Sequence, residues 1–382
     1  MKRTFNLIKT EFKRFFNNDV LVAIFFGAPL LYGILFGFVY RQAKVVNLPV
    51  AVVDMDQSEL SDKIIDALND NENIDIKDVF SSTANLKEEH LKKDYVAVIR
   101  IPEHFQNQIN QARHPELLIE LNMSNILNAN FASKSIQRVL GTLNAGIEIE
   151  ALKKKGLNPE IAKNKFESFK ISYHKLYNPN SNYLYFMLPA LLGAIMQQVI
   201  FLAMALVFSR DFEDGYWKKL TSFSKNPFYL IFIKLIPYLI LSAIVWTIVG
   251  IIYNYFEIAF NVFNFPMLWI VILLTLAAMF IGMLFSLLIP SQLKATEFLM
   301  VISTPAFILS GFTWPLSAMP KWIKFISNAI PLTHFLQAFK KIAIYGGSFG
   351  AINSQMKALL IIIIVSFTLT FLGLALKLKS NE

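Results

Sequence analysis

The sequence predicts a mainly α-helical polytopic membrane protein, with six transmembrane helices and an α/β extracytoplasmic domain between the first and second spans. Three observations predict it. Of 382 residues, 55% are hydrophobic and only 16% charged, too apolar a balance for a soluble chain. The charge is segregated, most of it lying before Arg14 or between Arg41 and Lys175. The rest of the chain holds charge-poor apolar runs near the roughly 20 residues that cross about 30 Å of hydrocarbon at 1.5 Å per residue.

Within residues 1–18, residues 4–16 read "TFNLIKTEFKRFF", in which Phe5, Ile8, Phe12 and Phe15 recur at helical spacing while Lys9, Lys13 and Arg14 take another face. That pattern describes a basic amphipathic helix lying in the membrane surface. The first span, residues 19–40, has its apolar run from Val20 to Tyr40. It exceeds a signal-peptide core of roughly 7–15 residues and no small-residue cleavage site follows, so it reads as an uncleaved anchor.

Residues 41–182 have the composition of a water-facing domain. "LPVAVVD", "IDIKDVF", "YVAVIRI" and "ELLIELN" read as strands. "DQSELSDKIIDALN" reads as a helix, with Asp56 and Glu59 at capping-box spacing and Leu60, Ile64 and Leu68 on one face. Further helices are expected near Ala84 to Leu91 and Glu103 to Asn110, and a long connecting helix near Asn125 to Lys155. Strands alternating with helices predict a small α/β sheet. Asp54 and Asp56 have the spacing of a metal-binding D-x-D, but a structural role is preferred because Asp56 already serves as a cap.

Five more spans make up residues 183–379: Tyr183 to Phe208, Phe228 to Phe256, Met267 to Ile289, Phe298 to Phe312 with Pro305 as a kink, and Met356 to Leu376. Lys234 lies near one end of the third span, from where its long side chain is expected to reach the interface. Basic residues set the orientation. Five precede the first span; Arg210, Lys218, Lys219 and Lys225 follow the second, Lys294 the fourth, and Lys377 and Lys379 the sixth. All fall on one side of a six-span path, which predicts cytoplasmic termini. Lys321, Lys324, Lys340 and Lys341 fall on the other side, against the count.

The net charge of +9 does not point to nucleic acid, because no basic run with interleaved aromatics stands in a polar setting. With no cysteine, disulfides and thiol chemistry are excluded. No phosphate loop, H-E-x-x-H or G-x-S-x-G occurs, and the five histidines are scattered. A catalytic site, a bound cofactor and a metal centre are therefore not expected in this chain. The mid-span polar residues are neutral, among them Gln197, Gln198, Ser242, Thr275 and Ser286, and suit helix packing rather than ion coupling. Energy is then expected to enter through the charged island at 209–227, "SRDFEDGYWKKLTSFSKNP", with Tyr216 and Trp217 as interface anchors.

The chain resembles the permease subunit of type-2 ATP-binding-cassette transporters. "VAVVDMDQSELS" is similar to the strand that follows the family's first span. The island resembles the pattern R-[ED]-x-E-x-G-T-x-E-x-L at Arg210, Asp211, Glu213, Gly215 and Leu220, departing from it at Tyr216 and Lys218. "SGFTWPLSAMPKWIKFISNAIPLTHF" resembles a later motif at Pro315, Leu316, Met319, Pro320, Trp322, Pro331, Leu332 and Thr333. The resemblance implies that the island couples to a separate ATPase subunit through Arg210, Asp211, Glu213, Asp214, Gly215, Trp217, Lys218 and Leu220, with ATP and Mg held on that partner. It implies short helices re-entering the outer leaflet within 313–345, and a homodimer or a heterodimer with a sister permease among membrane lipids in a bacterial inner membrane. It implies export of a hydrophobic or amphipathic drug or lipid. The alternatives are a membrane-anchored scaffold or sensor, whose outer domain binds a ligand without transport, and an ion-coupled carrier.

Overall fold

A computed structural model describes residues 2–42, 44–83, 93–111, 113–156, 158, 176–178, 180–258 and 260–379. The helix expected near Ala84 to Leu91 lies outside the described residues. The chain divides into two compact units, one formed by Met1–Ala43 with Lys175–Glu382, the other by Lys44–His174.

The first unit begins with α1 (Lys2–Phe16) and α2 (Asp19–Val39). Asn18 starts α2 by accepting the Leu21 N–H at 3.0 Å. A π-helical turn at Ala23–Gly27 precedes Pro29. Proline lacks an N–H and crowds the carbonyl four residues back, and a wider turn relieves both.

The second unit runs β1 (Leu48–Asp54), α3 (Glu59–Asn69), β2 (Ile74–Phe80), β3 (Ala97–Ile101), α4 (Phe105–Asn110), β4 (Leu118–Leu121) and α5 (Ile126–Lys154). Strand order is β2-β1-β3-β4, with β1 parallel to both neighbours and β4 antiparallel to β3. Central β1 is apolar on both faces, as a strand covered on both sides must be. Leu48, Val50 and Val52 pack with Ile64 and Leu68 of α3 and Ile136 of α5, while Ala51 and Val53 pack with Tyr95 and Val98 on the other face.

The start of α3 departs from expectation. Its cap is Ser58, in a reciprocal box with Ser61, and not Asp56. Asp54 explains this: its Oδ1 accepts the N–H groups of Asp56 and Gln57, and its Oδ2 accepts the Ser61 hydroxyl. That turn carries the chain past Asp56, which accepts the Gln106 N–H instead. Both carboxylates are thus engaged structurally.

The first unit resumes with α6 (Tyr183–Glu213), α7 (Tyr216–Phe223), α8 (Pro227–Tyr255), α9 (Phe265–Leu288), α10 (Gln292–Leu309), α11 (Lys321–Ala329), α12 (Pro331–Phe339) and α13 (Asn353–Lys379). Asn182, Asn226 and Asn264 cap the starts of α6, α8 and α9. Among the described residues, five helical stretches are long and apolar enough to cross a membrane: α2, α6, α8, α9 and Phe349–Lys379. The fifth run expected from the sequence forms α10, with Pro305 inside it.

In lipid, helix association depends on close packing rather than on hydrophobic burial. Gly33 and Gly37 of α2, one turn apart, let Ile252 of α8 and Phe256 just after it approach closely. A Cβ at these glycines would stand 2.6 Å from Ile252 Cδ1 and 2.0 Å from Phe256 Cε2. Gly282 gives α9 the same closeness to Met204 of α6.

Candidate functional site: a charge-locked island

The island between α6 and α8 forms α7, and three elements converge on it. α6 continues as helix past its apolar run through Ser209, Arg210, Asp211, Phe212 and Glu213, then breaks at Gly215. Gly215 has φ +71, a left-handed conformation that costs other residues roughly 1 kcal/mol or more. The reversal turns α7 so that Trp217 and Leu220 pack inward, Trp217 edge-on to Phe208 and Phe212.

α1 docks beside it. The face of α1 that is buried carries Leu7, Glu11 and Phe15, whereas Phe5 is 68% exposed. The stripe expected from Phe5, Ile8, Phe12 and Phe15 is therefore rotated. The physical reason is an ion pair: Glu11 donates no apolar surface but meets Lys234 of α8, whose Nζ donates to Glu11 Oε1 at 2.8 Å. Lys234 also ion-pairs with Asp211 Oδ2 at 2.6 Å. Asp211 Oδ1 in turn accepts from Arg14 Nη2 at 2.8 Å.

Lys234 thus does not extend to an interface as its sequence position suggested. It is eight residues into α8 and has no exposed surface. Two carboxylates within reach compensate its charge, as a buried ammonium requires. Asp211 is equally buried and Glu11 is 4% exposed.

Outer charges complete the arrangement. Arg210 Nη1 donates to the Arg14 carbonyl at 2.8 Å, satisfying a free carbonyl in the last turn of α1, and Arg210 Nε reaches Asp214 at 3.3 Å. The Arg14 guanidinium lies 4.3 Å from the centroid of the Tyr216 ring, and Lys234 Nζ lies 5.6 Å from it. Burial comes first in raising the Tyr216 hydroxyl above its ordinary pKa, with the nearby Glu11 charge adding to it.

Of the residues expected to meet a partner, Arg210, Asp211, Trp217 and Leu220 are committed to internal contacts. Glu213 caps another helix: its carboxylate accepts the Gln292 backbone N–H at 2.8 Å at the start of α10, where Ser291 makes no side-chain cap. Asp214, Gly215, Lys218, Lys219 and Phe223 are exposed. Trp217 is 6% exposed and Phe223 48% exposed, so the accessible aromatic anchor of α7 is Phe223. It is the last residue of α7, one turn beyond the buried Leu220.

The second motif folds into a different place in the unit. Pro315 and Pro320 stand at the starts of a short 3₁₀ turn and of α11, with Met319 between them buried against Ser327. Trp322 and Phe325 are exposed on α11 at 66% and 80%. Pro331, Leu332 and Thr333 form the buried first turn of α12. No local side chain caps that turn, and Gln197 of α6 does so by accepting the Leu332 N–H at 2.8 Å. The two motifs are not brought together; α6 caps α12 of the second motif through Gln197 and α10 through Glu213.

The sequence reading missed Glu11, Arg14 and Lys234 as site residues. The signal was present: a lone acid within a basic helix, four residues from Leu7 and Phe15, and a lone lysine inside an apolar run. Each is costly alone and the two answer each other. Among the described residues, no group of three or more His, Asp or Glu is placed to hold a metal ion.

The sequence profile of the ABC-2 family of transporter proteins matches residues 20–372. The chain belongs to that family. It is similar to the probable multidrug ABC transporter permease YbhR of Escherichia coli K12, 24% identical over 365 residues covering 94% of this chain and 95% of the relative. It is similar to the inner membrane transport permease YhhJ of the same organism, 24% identical over 363 residues covering 87% and 88%. A shorter match, 26% over 173 residues, joins 44% of the chain to 23% of the ABC transporter G family member 20 of Dictyostelium discoideum. The protein is thus the permease subunit of an ABC-2 type transporter, and the island lies within the matched region.

Proposed function

We propose that this permease works with a separate ATP-binding-cassette ATPase to export an amphipathic solute from the cytoplasm, and that α7 is the segment the ATPase presses. The observation that carries this reading is the geometry of α7. A short helix is fixed from beneath by Trp217, Leu220 and the ion pairs of Tyr216's surroundings, while Lys218, Lys219 and Phe223 face outward. A helix rigid on one side and open on the other is suited to receive a mechanical load.

In this reading both termini are cytoplasmic, and the ion pairs between α1 and the end of α6 support it by holding the N-terminal helix and the island at one end of the unit. α10 completes six spans, and the α/β domain lies outside the cytoplasmic membrane. Two permeases, identical or sister chains, enclose the path, and ATP and Mg belong to the ATPase. The multidrug naming of YbhR favours a drug-like solute. An ion-coupled carrier is less well supported: the buried carboxylates Glu11 and Asp211 are each paired with a fixed cation, Asp211 in the last turn of α6 and Glu11 on α1, which is not one of the membrane-length helices.

The experiment is copurification of the permease with the ATPase, followed by ethidium transport in proteoliposomes. ATP-dependent movement that stops with a hydrolysis-deficient ATPase supports export. Movement driven by a proton gradient without ATPase refutes it.

A further inference from the structure

Glu11 is the only acid in α1, and the fold removes it from the surface to place it on Lys234. Burying three charges is a poor way to stabilise a helix contact, since apolar side chains of similar size hold such contacts as well or better. Stability alone therefore does not account for the cluster. Its connectivity does. Glu11 lies on α1, Asp211 on the last turn of α6 and Lys234 on α8, so one ammonium joins three elements. Arg14 ties α1 to the same Asp211 a second time and covers the face of Tyr216, the first residue of α7. Tyr216 is also where the island departs from the family's pattern, which has Thr. The ring supplies the surface on which the cations of α1 and α8 converge.

We propose that the Glu11–Lys234–Asp211 bridge positions α7 for coupling, making α1, α7 and the first turns of α8 move as one body when the ATPase displaces the island. The inference rests on the reading that α7 receives the ATPase, and adds the route by which its motion enters the membrane. Without the bridge, α7 yields locally and α8 stays in place. Glu11, Asp211 and Lys234 are positioning residues: none is expected to touch ATP or solute.

Two double variants of the full permease, each assembled with the ATPase, test it. E11Q/K234M removes the bridge yet leaves Arg14 and Asp211 paired, so no uncompensated charge stays buried. E11D/K234R keeps the charges and trades a shorter acid against a longer base. Each is checked for a monodisperse complex, ATPase binding, basal ATP hydrolysis and ethidium moved per ATP. E11Q/K234M is expected to bind the ATPase and hydrolyse ATP like the wild type but to lose about tenfold in ethidium moved per ATP, a typical size for a coupling between sites. E11D/K234R is expected to recover most of that loss.

Wild-type transport per ATP in E11Q/K234M overturns the bridge, and so does equal uncoupling in both variants. Failure of both to form a folded complex assigns the cluster to folding alone and overturns it too. A wild-type complex that moves nothing with ATP refutes the proposed function itself, whereas a transporting wild type beside fully coupled variants refutes only the bridge.

Discussion

Lys234 shows how a single side chain changes meaning when the fold is known. In the sequence it is a lysine close to the end of an apolar run; in the structure its ammonium lies between two carboxylates with no access to solvent. Lys234→Met alone leaves Glu11 without a cation, and the expected cost is about 3–5 kcal/mol, as for other broken buried pairs. Thermal unfolding of the detergent-solubilised protein should show it, and E11Q/K234M should recover most of the loss. Glu213 is a milder case. As the cap of α10, Glu213→Ala should cost about 1 kcal/mol and speed hydrogen exchange at Gln292 and the residues after it, while exchange in α6 stays unchanged. In the α/β unit, Asp78 accepts from Lys93 Nζ at 2.7 Å and from the hydroxyl of buried Tyr95. The Lys93 bond first, then Tyr95, holds its carboxyl below the usual carboxylate range. A depressed folded-state pKa adds stability above the unfolded value near 3.9 that is lost as pH falls through the lower, folded one. Protection of the β2 amides, taken relative to the intrinsic exchange rate at each pH, should therefore fall on acidification below about pH 4, and Asp78→Asn should flatten that dependence.

At the scale of elements, apolar patterning and charge placement made the main helices and strands legible, because both follow from burial. β1 is read correctly from its uninterrupted apolar run, and α8 from its charge-poor length. Helix ends were less legible. The second span was expected to finish at Phe208, where charge appears, but α6 runs to Glu213 because Arg210, Asp211 and Glu213 each find a partner outside their own helix. The cap of α3 was misplaced because Asp54, four residues before Ser58, organises the turn. The rotation of α1 was hidden for the same reason: Glu11 looks like a surface residue until Lys234 is placed beside it. Close helix approach gives a direct test. Gly37→Leu puts a branched side chain where Phe256 already stands, and overpacking of this kind costs about 1–3 kcal/mol. The variant should lower the unfolding temperature of the membrane unit, and Phe256→Ala should partly rescue it. On α7, the exposed positions carry the proposed contact. F223A/K218E should weaken ATPase binding by about tenfold or more, the scale of an interface anchor, measured as loss of copurification, with the helical content unchanged.

For the molecule as a whole, two compact units and the ABC-2 family membership define a membrane permease. The proposed work cycle follows from where charge sits in the first unit. Among its described residues, the buried polar groups Gln197, Ser242, Thr275 and Ser286 of its apolar helices are neutral, whereas the buried charges Glu11, Asp211 and Lys234 meet beside the island, locked to one another. In the proposed reading such a membrane domain is pushed rather than charged and discharged. The measurement that tests this most directly is ethidium flux in proteoliposomes holding the permease with its ATPase, in the presence of a protonophore. ATP alone should drive accumulation, and a hydrolysis-deficient ATPase should abolish it. Accumulation by the permease without ATPase, sustained by an ion gradient and stopped by the protonophore, would contradict the account.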